Sequence, residues 1–138
     1  MSARRDAIIA EAKTWLGTPY HHQGRIKGAG VDCGMLLAEV YAACGEITQV
    51  DAGNYACDWH MHRSEEKYLE HVLASAHEVD SPEVGDVVVF RFGRTYSHGA
   101  IYLGDGKLIH SYRDRGCEIT TLDDCELVDR PRRFFSVW

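Results

Sequence analysis

The chain has 138 residues, 45% of them hydrophobic, which suits one compact domain spanning 1–138 and excludes a disordered chain. A net charge of −6, with acids and bases interspersed, argues against a nucleic-acid-binding surface. No apolar run approaches the ~20 residues that a membrane span needs.

Ile8, Ala12, Trp15 and Leu16 mark one face of a first helix over about 3–16, closed by Gly17 and Pro19. Asp6, Glu11 and Lys13 interrupt its apolar stretch, so it is not a signal peptide. The expectation is synthesis in the cytoplasm, with something else carrying the protein if it acts outside. Residues 17–31 read as a loop. A second helix over about 33–44 buries Leu36, Leu37, Val40, Tyr41 and Cys44, with Asp32 as N-cap and Gly45 as terminator. A third fits 65–76, with Ser64 as cap and Tyr68, Leu69, Val72, Leu73 and Ala76 as its buried stripe.

After Pro82 the texture changes. "GDVVVFRF", "SHGAIYL", "KLIHSY", "CEITTL" and "RRFFSVW" read as five strands, the second and third joined at "GDG". Helices first and strands second imply an α+β fold, helices packed on an antiparallel sheet. "RPRR" at 130–133 is the densest basic run and reads as a strand edge or solvated turn.

The cysteines stand at 33, 44, 57, 117 and 125. An odd number without repeated spacing does not make a disulfide framework, so mostly free thiols are expected. Cys33 alone falls in the first turn of a helix, where unpaired N–H groups and the helix dipole favour a thiolate and can hold an oxyanion. Gly28, Gly30 and Gly34 leave open space around it. Placement alone leaves Cys33 open between buried filler and nucleophile.

A cysteine nucleophile needs a base and a group that orients the base. His98 and His110 flank the same turn. With a two-residue Asp105–Gly106 loop they fall on opposite sheet faces. With a three-residue Gly104–Asp105–Gly106 loop, residues pair when their numbers sum to 210 and the two histidines share a face. They are then diagonal neighbours roughly 7–8 Å apart, a span that imidazoles bridge. The three-residue loop is predicted, with His98 as base and His110 accepting its Nδ1–H to fix its tautomer.

Rival constellations are weaker. Cys57, His60 and His62 can begin a metal site, but no second ligand pair follows at zinc spacing, and no metal or other cofactor is expected. No phosphate loop, dinucleotide fingerprint or marked carboxylate pair is present.

Taken together, "TWLGTPYHHQGRIKGAGVDCGMLL", "GDVVVFRF", "SHGAIYLGDGKLIHSY" and "RPRRFFSVW" resemble the NlpC/P60 family of papain-like cysteine peptidases. They look closest to the phage and prophage branch of cell-wall peptidases and tail-assembly proteins. The resemblance runs nearly the whole chain and implies a papain-like fold. It implies Cys33 as nucleophile, His98 as base and His110 as the orienting third residue. Tyr20 would assist at the oxyanion beside the Cys33 N–H, with Asp32 and Gly34 flanking the substrate. The implied substrate is a peptidoglycan stem peptide cut between D-glutamate and a diamino acid, and phage tail proteins are implied partners. Met35 departs from the family's pattern of a second small residue after the cysteine, which bears on groove shape or helix packing.

Overall fold

The computed structural model describes residues 3–21, 25–48 and 64–138. The chain folds as α1 (Ala3–Lys13), β1 (Arg25–Ile26), β2 (Gly30–Val31), α2 (Cys33–Ala43), α3 (Ser64–Leu73), β3 (His77–Val79), β4 (Val87–Phe92), β5 (Thr95–Gly104), β6 (Lys107–Tyr112), β7 (Gly116–Thr121) and β8 (Arg132–Ser136). Among the described residues the main sheet has six antiparallel strands in the order β3-β8-β4-β5-β6-β7. This is the expected α+β architecture, with one strand more than the five predicted.

The extra strand is β3, whose short "HEV" carries no alternating apolar pattern and pairs only at the β8 edge. Its pairing puts β8 inside the sheet, between β3 and β4. The basic run lies outside that pairing, as the expected strand edge or turn: β3 covers only residues 134–136, Arg132 and Arg133 pair in the ladder with β4 alone, and Arg130 and Pro131 precede the strand. Arg132 donates to the carbonyls of Leu127 and Val128, Arg133 pairs with Glu78, and Arg130 stacks 3.5 Å over the ring of Phe92. The 17–31 segment also contains more than a loop, since β1 and β2 pair antiparallel within it.

α1 stops three residues short of the predicted end. From Thr14 the chain switches to i→i+3 bonds, Thr14 to Glu11, Trp15 to Ala12 and Leu16 to Lys13. That tighter turn keeps Ile8, Ala12 and Trp15 buried but carries Leu16 off the face, leaving it 40% exposed. α2 is buried nearly all round, the mark of a central helix. Its Met35 is fully buried in the core, so the residue that departs from the family pattern acts on helix packing and not on a groove. In α3, Leu69 and Val72 are buried as expected and Leu73 packs beside them, but the helix ends before Ala76.

The sheet buries both faces. Val87, Val89, Ile101 and Ile109 pack on the helices, while Val88, Phe90, Ala100, Leu108 and Leu127 form a second cluster on the opposite face. Gly99 marks the close approach of α2 and α3. A methyl group there would lie 2.9 Å from both Leu37 Cδ2 and Leu69 Cδ1.

The β5–β6 hairpin has the predicted register, reached by another route. Ile101 pairs with Ile109 and Tyr102 with Leu108, both summing to 210, but Gly104 pairs with Lys107. The turn itself is the two-residue Asp105–Gly106, with φ of +54° and +77°. The ladder slips between Tyr102 and Gly104, and that bulge supplies the missing residue. A two-residue turn with a bulge thus gives the register expected of a three-residue loop.

Candidate active site

Cys33 is the first residue of α2, and three sets of contacts fix it in place. Asp32 adopts an extended conformation and its carboxylate accepts the N–H of Met35 at 2.7 Å, as expected of an N-cap. The buried Ser111 hydroxyl donates to the carbonyl of Val31 at 2.7 Å, tying the approach to α2 onto β6. The segment carrying Tyr20 lies beside β2: Val31 N–H bonds Pro19 O, and His21 N–H bonds Val31 O. The same segment is held on its other side by β7, through Cys117 N–H to Thr18 O and Gly17 N–H to Cys117 O.

A cavity of about 530 Å³ opens at this point, and both Cys33 and His98 line it, with Tyr20, Tyr112, Arg113 and Arg130 among the other wall residues. Cys33 is 1% exposed, so its sulfur forms the cavity floor, and the thiol donates to Ser97 O at 3.7 Å. Asp32 and Gly34 are buried and are not among the lining residues. The carboxylate of Asp32 is engaged in the cap.

His98 and His110 share the sheet face opposite the helices, and their rings meet directly. His98 Nε2 lies 2.8 Å from His110 Nδ1. The expected contact is present, but through Nε2 of His98 rather than Nδ1, so Nδ1 is the nitrogen left for chemistry. His110 is fully buried behind His98 and is not part of the cavity wall. Aromatic rings enclose His98: Tyr112 stands edge-on at 5.3 Å, and Phe92 and Phe90 lie at 5.3 and 6.2 Å. Burial holds the His98 imidazole well below its usual pKa, with His110 and the cations Arg130 and Arg115 adding to the effect. Burial also lowers His110, which Glu118 partly opposes.

Glu118 was missed by the sequence reading. It sits directly opposite His110 across the β6–β7 ladder, and its Oε2 lies 2.9 Å from His110 Nε2. The register test that joined the two histidines would have found it in the next hairpin, since the tight 113–115 turn fixes that pairing. Cys44 and Cys117 behave as structural thiols. Cys44 is partly buried against the core, and Cys117 is buried with its thiol pushed up to about 12. Cys125 is exposed, and no disulfide joins any of the four described cysteines. The rival metal cluster of Cys57, His60 and His62 lies outside the described residues.

Comparison with known proteins gives a consistent set of relatives. The model of the NlpC/P60 family matches residues 17–130. The gamma-DL-glutamyl hydrolase of Bacillus subtilis is 27% identical over 119 residues, covering 83% of this chain but 25% of that protein. The chain thus spans about a quarter of that relative's length. An NlpC/P60 protein of Bacillus cereus superposes with a TM-score of 0.68 at 25% identity, covering 94% of this chain and 39% of the other. RipD of Mycobacterium tuberculosis, a non-catalytic NlpC/P60 domain protein adapted to peptidoglycan binding, superposes over all of both chains with a TM-score of 0.63 at 15% identity.

Proposed function

The chain belongs to the NlpC/P60 family, and from that premise we propose that it is a cysteine peptidase cutting an amide bond in peptidoglycan stem peptides. The observation that carries the reading is the shared cavity. A thiol at a helix N-terminus and an imidazole backed by a second imidazole line one solvent-open space. The fold alone would not decide activity, because a non-catalytic relative has it too. The similarity to a gamma-DL-glutamyl hydrolase supports a glutamyl bond as the one cut, and the proposed site is the bond between D-glutamate and a diamino acid.

In the proposed mechanism His98 Nδ1 takes the Cys33 thiol proton as the sulfur attacks the amide carbon. The tetrahedral oxyanion is held by the Cys33 backbone N–H and the Tyr20 hydroxyl. His98 returns the proton to the leaving nitrogen, the C–N bond breaks, and a thioester remains. Water then gives a proton to His98 as its oxygen attacks the thioester. The C–S bond breaks and His98 reprotonates the sulfur. A phage or prophage particle is the proposed setting, with tail proteins as partners that bring the enzyme to the wall.

Digestion of purified peptidoglycan, with mass spectrometry of the released fragments, tests the reading. Fragments ending in D-glutamate support it. Intact peptidoglycan that nonetheless binds the protein would place it with the non-catalytic relatives. A thioester that resolves only onto an added amine or alcohol would make it an acyltransferase.

A further inference from the structure

We propose that Glu118 is a positioning residue, setting the tautomers of His110 and His98 so that His98 presents an unprotonated Nδ1 to the cavity. The proposal deepens the hydrolase reading and uses its assignment of His98 as base. It rests on a continuous line of contacts across three adjacent strands. Glu118 Oε2 is 2.9 Å from His110 Nε2, and His110 Nδ1 is 2.8 Å from His98 Nε2.

Each step of the line has one consistent proton placement. A carboxylate can only accept, so the proton between Glu118 and His110 resides on His110 Nε2. A neutral His110 then offers Nδ1 as an acceptor, and the proton between the rings resides on His98 Nε2. His98, neutral in turn, keeps a lone pair on Nδ1. Without an acceptor at Nε2, His110 is free to carry its proton on Nδ1. His98 Nε2 then becomes the acceptor and Nδ1 carries the proton. That reversed form cannot remove a thiol proton.

The carboxylate is itself fixed. Arg115 Nε lies 3.3 Å from the same Oε2 and its guanidinium binds both oxygens of Asp124 at 3.0 and 3.2 Å. Asp124 also accepts the Thr120 hydroxyl and the Glu126 N–H. The anchor therefore joins the buried imidazole pair to the segment that supplies Glu126 and Arg130 to the cavity wall. Arg115 and Arg130 both disfavour a proton on His98, and the charge of Glu118 favours one on His110. The charged groups that act on the pair are thus Glu118 on β7, Arg115 before it, and Asp124 and Arg130 in the following segment; Tyr112 of β6 packs against both rings and Cys33 of α2 shares the cavity with His98.

The test needs no cell-wall substrate. Nitrogen-15 spectra of the histidine rings in the intact protein assign the tautomers, and peptide mass spectrometry follows iodoacetamide alkylation of Cys33 across pH. Wild type is expected to show Nε2–H on both His98 and His110. Glu118→Ala should abolish that pattern and slow Cys33 alkylation at neutral pH by about tenfold or more. Glu118→Gln, whose amide oxygen still accepts, should restore the tautomers and recover part of the rate, which a merely structural role would not do. An Nδ1–H tautomer on His98 in wild type overturns the proposal. So does a Glu118→Ala protein, folded by circular dichroism, whose ring spectra and alkylation profile match wild type. If Glu118→Ala does not fold, Glu118→Gln decides alone: ring tautomers lost in a folded Gln variant overturn the proposal. Failure of the hydrolase reading looks different, with peptidoglycan left intact while the tautomers and Cys33 reactivity still follow Glu118.

Discussion

The carboxylate of Asp32 accepts the backbone N–H of Met35 at 2.7 Å, and both residues are fully excluded from solvent. Asp32 acts on the fold, holding the first turn of α2 in which Cys33 lies. Asp32→Ala leaves that N–H without its buried acceptor and should cost about 1–2 kcal/mol, measured by urea unfolding. Asp32→Asn keeps an acceptor and should cost less. A rise in KM from Asp32→Asn with unchanged stability would instead mark a substrate contact.

The nucleophile, base and orienting group can be ranked by what each touches. Cys33→Ala should remove hydrolysis altogether while the protein unfolds at the wild-type urea concentration. His98→Ala removes the group that shares the cavity with the thiol and should cost on the order of 10²–10⁴ in kcat. His110→Ala leaves that group in place but loosens it, and a smaller loss of roughly 10- to 100-fold is expected. Steady-state kinetics on a soluble stem peptide would check the order. A His110→Ala loss larger than that of His98→Ala would reverse the two roles.

How much of this was legible in the sequence depended on whether a signal was local. The cap at Asp32, the stop at Gly45 and the burial of Leu36, Leu37, Val40 and Tyr41 follow from neighbours a few residues apart, and all are present. The pairing of His98 with His110 was readable because a short turn transmits register. The turn itself was misjudged because a bulge and a longer loop add the same one residue, and only backbone geometry separates them. β3 was invisible because its pairing comes from β8, more than fifty residues away, and not from its own pattern. For Met35 the sequence left groove shape and helix packing both open, because its place two residues after Cys33 does not show which way it faces. A helix turns about 100° per residue, which points Met35 into the core.

The depressed pKa of His98 sets a direction for stability against pH. In the unfolded chain the ring titrates near 6.5, whereas burial holds the folded ring well below that. Above about pH 6.5 the ring is neutral in both states and contributes no slope. As pH falls below that value the unfolded chain binds a proton that the folded chain refuses. Stability therefore declines until the folded ring titrates as well. Urea unfolding at intervals between pH 7.5 and 4.5 should show this decline, and His98→Gln should flatten it. The base-competent neutral ring also persists in the fold below pH 6.5, so the acid limb of Cys33 alkylation should lie lower than that of an exposed histidine–cysteine pair.

Gly116 and Gly106 provide a matched pair for the Tyr20 side of the cavity. Both have positive φ, +75° and +77°, so an alanine at either site incurs the left-handed penalty of about 1–2 kcal/mol. At Gly106 a methyl group meets nothing within 4 Å, and that penalty should be the whole effect. At Gly116 the methyl carbon would stand 2.9 Å from the carbonyl oxygen of Thr18, a backbone atom with no rotamer to yield. That carbonyl accepts Cys117 N–H and anchors the segment leading to Tyr20. Gly116→Ala should therefore destabilise by more than Gly106→Ala, by about 1–3 kcal/mol further. It should also lower kcat, because displacing Thr18 displaces Tyr20 from the cavity wall, while Gly106→Ala leaves kcat within about twofold of wild type. Equal losses of stability and activity in the two variants would show that Tyr20 is not held through this contact.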